Sequence, residues 1–396
     1  MTRSIGAGAP EPTGSGVTVE TAIEGEVSQW AVNTVTTATP DTKTAQLNES
    51  IAEADGYVYM VGGNNYFKDG DGAVSEAHRW DVENGGWEQI APLPAPRQAG
   101  RLFVDDGTDI YYAGGDSAGI QNVDGSTIHA DVWRYNRYED EWVSVAPLPE
   151  PLYDPGGGTP SNSVSDGVLL WGETTDGSGN LVNNTSVYLY DAGADSWSTA
   201  SATWGGEATD SSTSYATSVY TDRIYKLGPD SGVKAYDAES DSFVDLNADG
   251  FGYDPRAIHY TQATGGNKLV TVPQDGSTGA DMYDIESDTF ESIEPVAPTR
   301  PSGQTTASNK NWIGGGYIDE GYPDYIPAAD LYRFGRSELY TADSEGMVHI
   351  YDRGDESVEL LNLMTAESGE SVYVRSGDSV SVTGSAFSFS AYFVGE

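Results

Sequence analysis

A unit of about 50 residues recurs along the chain, and that recurrence restricts the fold more than any other feature. One copy reads Tyr57-Val-Tyr-Met-Val-Gly-Gly63, then Glu76-Ala-His-Arg-Trp-Asp81, Trp87 and Ala91-Pro-Leu-Pro94. The next reads Ile110-Tyr-Tyr-Ala-Gly-Gly115, then Ala130-Asp-Val-Trp-Arg-Tyr-Asn136, Trp142 and Ala146-Pro-Leu-Pro149. Short apolar runs bounded by Gly, Pro and Asp predict β-strands joined by tight turns.

Later copies diverge but keep phase. The second-strand position recurs at Val168-Leu-Leu-Trp-Gly172, Ile224-Tyr-Lys-Leu-Gly228, Leu269-Val-Thr-Val272 and Trp312-Ile-Gly-Gly315. The third strand carries Tyr190-Asp191, Tyr236-Asp237 and Tyr283-Asp284, and ends its series at Ala329-Asp-Leu-Tyr-Arg-Phe334. A fourth-strand aromatic stands at Trp87, Trp142, Trp197, Phe243 and Phe290, at spacings of 55, 55, 46 and 47 residues. An apolar run ending in Gly-Gly, then an aromatic, a Trp and a Pro-bounded loop resembles the Kelch repeat, whose units are four-stranded blades of a β-propeller. The resemblance implies an all-β fold. Six second-strand copies against five fourth-strand aromatics leave one blade short. Val27-Ser-Gln-Trp30-Ala-Val-Asn-Thr-Val35 has the missing pattern, so a six-bladed propeller over 27–336, closed by an N-terminal strand, is expected.

The flanks differ from the repeats. Residues 1–26 are rich in Gly, Pro and Thr and read as an arm or tether. Residues 337–396 hold short strand-like runs, among them Met347-Val-His-Ile-Tyr351, Ser371-Val-Tyr-Val374, Ser379-Val-Ser-Val382 and Ala386–Val394. They predict a small β appendage whose marginal core calls for docking or oligomerisation, so a homo-oligomer is expected.

Charge then narrows the function classes. The 396 residues carry 62 Asp plus Glu against 19 Lys plus Arg, a formal net charge of −43. Such a chain repels phosphate backbones and anionic lipid surfaces, which argues against nucleic-acid binding. No run approaches the roughly 20 apolar residues of a membrane span, so no membrane insertion is expected. With no cysteine, disulfides and thiolate chemistry are excluded. Self-repulsion of this size destabilises a compact state in dilute salt, and the Debye length shrinks to about 3 Å at 1 M. Only 6 of the 19 basic residues are Lys, and the balance resembles proteins of salt-in halophiles, including haloarchaea and their viruses. The N-terminal residues lack the apolar core of a signal peptide.

Catalytic signatures are sparse. The four histidines, His78, His129, His259 and His349, form no helical zinc pair, and no Gly-x-Ser-x-Gly turn occurs. The galactose-oxidase chemistry of Kelch-type enzymes needs a cysteine and is excluded. Asp69-Gly-Asp-Gly72 with Glu76 lacks full calcium-loop spacing, so neither metal nor cofactor is expected. Ligand binding is expected at Arg97, Arg256 and Arg300, each after a proline-containing loop at the start of a blade, where cations would attract a carboxylate or sulfate. Tyr153, Tyr253, Tyr317, Tyr322 and Tyr325 fall in connections that share one face of a propeller and supply stacking planes with polar tips. Against both stands the plainer reading of inter-blade hydrogen bonding and solvated loops.

These features point to a non-catalytic recognition and structural protein. The favoured setting is a virion surface component of a haloarchaeal virus, assembled in the host cytoplasm beside other virion structural proteins and binding a host cell-surface protein or glycan. A Kelch-type sugar-acid epimerase or lyase, and a cellular haloarchaeal Kelch scaffold, are the alternatives.

Overall fold

The computed structural model describes residues 3–4, 29–36, 50–65, 72–82, 84–105, 109–119, 122–159, 167–170, 172–203, 214–217, 223–228, 232–246, 258–261, 268–271, 280–293 and the strands between 305 and 383. Among these residues the fold is all-β, without a helix, and its strands pair antiparallel. Two units divide the chain: residues 34–294 with 298–333, and residues 1–33 with 295–297 and 334–396.

In the larger unit, five consecutive meanders of four strands follow the predicted phase. The first sheet comprises Ser50–Ala54, Tyr57–Val61, Ala77–Asp81 and Trp87–Ile90. The second comprises Arg101–Val104, Ile110–Ala113, Val132–Asn136 and Glu141–Ser144. The third, fourth and fifth begin at Gly156–Gly158, Ser214–Thr217 and Ile258–Thr261. A further sheet has the order Gln29–Thr36, Leu331–Thr341, Trp312–Gly314, Thr305–Thr306. First strands of successive sheets lie side by side from Ser50–Ala54 through Ile258–Thr261, and Thr305–Thr306 lies beside Ser50–Ala54.

Alternation of side chains explains why sheets stack in this way. Leu102, Ile110, Tyr112, Trp133 and Tyr135 of the second sheet pack on Ala52, Tyr59 and Val61 of the first. Their neighbours Phe103, Tyr111, Ala113 and Val132 pack on Tyr188 and Tyr190 of the third. Successive residues of one strand point to opposite faces, so each sheet is buried on both sides. The largest fully buried side chains among the described residues are tyrosines. Phe103 and Tyr111 stack at 5.0 Å, and Tyr111 meets Tyr190 edge-on at 5.3 Å.

One recurring device links neighbouring sheets. Tyr135 donates its hydroxyl to Asp140 at 2.7 Å, and the same carboxylate accepts the Ala91 N–H at 2.8 Å. Trp142 then donates its indole N–H to the Ala91 carbonyl at 2.8 Å. The arrangement repeats at Tyr190, Asp195, Trp197 and Ala146, and its carboxylate part recurs at Tyr236 and Asp241 with Ser201 and Ala202. Asp140, Asp195, Asp241 and Asp288 have φ of 50°, 47°, 47° and 54°, a left-handed conformation that Asp tolerates better than most residues. At the same step of the first sheet stand Trp80 and Gly85, which supply no carboxylate.

Two of the connections between strands contain hairpins. Glu173–Thr175 pairs with Leu181–Asn183, and Tyr317–Asp319 with Tyr325–Pro327. The first is closed by Asp176, whose carboxylate accepts the Ser178 and Asn180 N–H groups at 2.7 and 2.9 Å.

In the smaller unit, Gly346–Arg353 lies between Val358–Ala366 and Asp378–Thr383, and Arg3–Ser4 adds to the edge of Val358–Ala366. Ser371–Val374 pairs with Glu338–Thr341. Strands were expected at 347–351, 371–374 and 379–382; Val358–Ala366 was not, and 386–394 lies outside the described residues.

Candidate functional site

The Gly-Gly pairs that end the second strands organise the site. Gly62 and Gly114 have φ of 69° and 67°, which already favours glycine. A Cβ on Gly62 would stand 2.5 Å from the Arg97 carbonyl oxygen, and one on Gly114 would stand 2.7 Å from that of Leu152. Gly63 donates to the Arg97 carbonyl at 2.9 Å and Gly115 to that of Leu152 at 2.8 Å. The turn of one sheet is thereby held against the segment entering the next.

That contact fixes the residues just beyond each turn. Asp116 and Gln98 exchange both backbone hydrogen bonds at 2.9 Å, and Gln98 Nε2 donates to Asp116 Oδ2 at 2.9 Å. Both side chains are fully buried, and Gln98 Oε1 and Asp116 Oδ1 find no partner among the described residues. In the following sheet Glu173 and Tyr153 exchange the same two backbone bonds at 2.9 and 2.8 Å. Asp154 donates its N–H to the Ala99 carbonyl at 2.9 Å, and both residues have φ of 47°.

Acidic groups crowd around Tyr153. Burial raises the Asp154 carboxyl above the ordinary range, against the pull of Arg101. By surface area Asp154 is nonetheless exposed. Burial, with Asp154 second, raises Glu173, and burial with Asp154, Asp116 and Glu173 raises the Tyr153 phenol.

The Arg97 guanidinium is committed within the protein. It is 4% exposed, lies 5.0 Å over the Trp133 ring, and donates to Asp131 Oδ2 at 2.5 Å and to the Pro96 carbonyl at 2.7 Å. Arg101 makes a comparable link, with Nε and Nη2 at 3.1 and 2.8 Å from the Gly157 carbonyl. Asp131 also faces His129, whose Nδ1 lies 3.8 Å from the same Oδ2, and His129 Nε2 lies 2.8 Å from Ser117 Oγ.

Of the residues expected to bind ligand, Arg97 and Tyr153 fall in this region. Tyr317 and Tyr325 lie on opposite strands of one hairpin, in register with Pro327 and Asp319. Tyr253, Arg256, Arg300 and Tyr322 lie outside the described residues. Along the sequence Arg97 stands four residues ahead of Arg101–Val104, Arg256 two ahead of Ile258–Thr261 and Arg300 five ahead of Thr305–Thr306. Gln98, Asp116, Ser117, His129, Asp131, Asp154 and Glu173 were not singled out for binding. Their signal was the polar residue after each turn: Gly63-Asn64, Gly115-Asp116, Gly172-Glu173. Among the described residues no group of three metal-binding side chains forms.

Comparison with known proteins adds a partial likeness. No protein-family model matches the chain. Kelch-like protein 21 of Homo sapiens is 35% identical over 91 residues, which is 23% of this chain and 13% of that protein. Kelch-like protein 26 of Danio rerio is 27% identical over 150 residues, covering 37% of this chain and 22% of that protein. Kelch-like protein terF of Aspergillus terreus is 29% identical over 151 residues, covering 36% and 30%. The chain spans less than a third of the length of each of these relatives. At this modest identity the matches support a Kelch-repeat relationship, and the antiparallel four-stranded sheets are consistent with a Kelch β-propeller.

Proposed function

We propose that this chain is a recognition and structural protein on a six-bladed Kelch-like propeller, with Gln29–Thr36 as the outer strand of the last blade. Five four-stranded meanders, the strand order of the further sheet, and Thr305–Thr306 beside Ser50–Ala54 support that architecture. Residues 1–26 and 337–396 act as arm and mounting surface for a homo-oligomer or a larger assembly.

The observation that carries the recognition reading is the repeated clamp of Gly-Gly turn on entry segment. It fixes the accessible side chains of Tyr153, Asp154 and Glu173 together at low conformational cost, with the buried Gln98–Asp116 pair behind them, as a preformed binding surface requires. Binding residues on loops held by a rigid scaffold are the usual means of recognition, and the task needs no turnover. Kelch-like relatives favour an interaction scaffold.

The acidic, lysine-poor composition favours a high-salt setting, and within it a virion surface component that meets a haloarchaeal surface protein or glycan. The test is direct. Purified protein in molar salt is expected to bind envelopes of the host saturably and to block infection, and Tyr153→Ala is expected to weaken binding about tenfold, about 1.4 kcal/mol. Absence of both binding and blocking refutes the attachment role.

A further inference from the structure

Ser117, His129 and Asp131 are carried by a short backbone ladder. Ser117 N–H donates to the Thr127 carbonyl at 3.0 Å, His129 N–H to the Gly115 carbonyl at 2.9 Å, and Gly114 N–H to the Asp131 carbonyl at 3.0 Å. An antiparallel bridge joins Asp116 to Ile128 between them. The three side chains therefore project from backbone that is paired on both sides. Ser117 is exposed and His129 half-buried, while the Asp131 side chain keeps 48% of its surface in solvent.

Atom by atom, the order is that of a nucleophile, a base and an orienting acid. Ser117 Oγ lies 2.8 Å from His129 Nε2, and Nδ1 of the same ring lies 3.8 Å from Asp131 Oδ2. At 3.8 Å Asp131 makes no hydrogen bond to Nδ1, but its negative charge on that side favours a proton there, which leaves the Nε2 lone pair for the serine hydroxyl. The competing acceptor for that hydroxyl, the Thr127 carbonyl, is farther away at 3.2 Å. Asp131 is held in place by Arg97 Nη2 at 2.5 Å. Around the ring stand Arg97, Asp131 and Asp116; burial and the Arg97 cation outweigh the two carboxylates and hold His129 below its ordinary value, which favours the neutral ring whose Nε2 can accept a proton.

We infer that Ser117 is an activated nucleophile that takes an acyl group from a carboxylic ester, with His129 as its base and Asp131 as a positioning residue. As Ser117 Oγ bonds to the ester carbonyl carbon, His129 Nε2 receives the hydroxyl proton. The carbon–oxygen bond to the alcohol breaks, and the alcohol departs with that proton. Water then attacks the acyl-serine while His129 accepts one of its protons. The acyl–Oγ bond breaks, Ser117 recovers the proton, and a carboxylic acid is released. Exposure of Ser117 on the loop surface fits a small O-acyl group on a larger molecule.

The test treats the full chain in molar salt with a fluorophosphonate, which phosphonylates an activated serine and releases fluoride. Intact mass and peptide mapping are expected to give one adduct, at Ser117. Ser117→Ala is expected to abolish it, and His129→Gln to slow it about 100-fold, the lower bound for a positioned base. Labelling is expected to fall as pH drops through the His129 titration. Asp131→Asn is expected to move that midpoint down, since the lost carboxylate favoured the charged ring, and an unmoved midpoint overturns the pairing of Asp131 with His129. Hydrolysis of p-nitrophenyl acetate should follow the same variants. No adduct, an adduct at another residue, or equal labelling of His129→Gln overturns the assignment. Envelope binding by the unmodified chain is measured separately, so failure of the esterase assignment is distinguishable from failure of the recognition reading.

Discussion

Asp195 is the position where the stacking of sheets can be measured most directly. Its carboxylate accepts the Tyr190 hydroxyl at 2.9 Å and the Ala146 N–H at 2.8 Å, while its backbone sits at φ 47°. Asp195→Ala removes both bonds and leaves the phenol, on a residue only 2% exposed, without its acceptor. Hydrogen bonds to a charged acceptor are worth about 1.5–3 kcal/mol each when buried, and less here because Asp195 itself is exposed. Alanine in the left-handed region adds about 1 kcal/mol. The sum predicts a loss of about 3 kcal/mol for Asp195→Ala. Asp195→Gly should recover about 1 kcal/mol of it by relieving the backbone alone. Asp195→Asn keeps an acceptor and the φ preference, so it should cost about 1 kcal/mol. Urea unfolding in molar salt, followed by tryptophan fluorescence, reads all three, and Tyr190→Phe completes a double-mutant cycle with an expected coupling of about 1 kcal/mol. A cost below about 0.5 kcal/mol for Asp195→Ala, or strict additivity with Tyr190→Phe, would refute the latch.

Gly62→Ala should be among the most damaging small changes, because its Cβ would stand 2.5 Å from the Arg97 carbonyl at φ 69°; a loss of about 3 kcal/mol in the same urea assay is expected, and a loss under 1 kcal/mol would show that the turn yields. Acid should weaken the fold through Asp241 and Asp237. At both, burial pushes the carboxyl up, but hydrogen bonds from Ser201 and Ala202 to Asp241, and from Ser240 and Arg223 to Asp237, bring it below the ordinary value. A depressed folded value gives stability that is present above the unfolded value of about 3.9 and lost as pH falls through the folded one, so urea midpoints should hold to about pH 4 and then drop, less steeply in Asp241→Asn.

The fold was legible because its determinants repeat. Trp87, Trp142, Trp197, Phe243 and Phe290 each stand in the fourth strand of a sheet, where the spacing put them. The latch was not legible. Asp140, Asp195 and Asp241 sit in turns of a chain crowded with acids, and nothing in the sequence separates an aspartate that bridges two sheets from one that only faces solvent. Val358–Ala366 escaped notice because Glu359 and Asn362 interrupt an otherwise apolar run, and only its pairing with Gly346–Arg353 makes it a strand.

The residues around the Gly-Gly turns were read unevenly from sequence, and the reason is charge. Arg97 attracted attention as a rare cation, yet its guanidinium spends its hydrogen bonds on Asp131 and Pro96, partners from distant and adjacent sequence that no local pattern reveals. Gln98, its neighbour, carries no charge and drew none, although strand register places it beside Asp116. His129 was one of four scattered histidines until the ladder brought Ser117 and Asp131 to its two ring nitrogens.

The strand Gln29–Thr36 shares a sheet with Leu331–Thr341, and 294 residues separate them in sequence. A ribosome working at about 5–20 residues per second needs roughly 15 to 60 s to cover that interval. For all that time the sequence Gln-Trp-Ala-Val-Asn-Thr-Val-Thr waits beside the growing chain with its hydrogen-bonding edge unmatched. The sheets between have time to form first, one behind another as they emerge. Pairing of this strand is therefore timed by the synthesis of Leu331–Thr341, and a nascent chain stalled before residue 331 still lacks the strand beside which it lies.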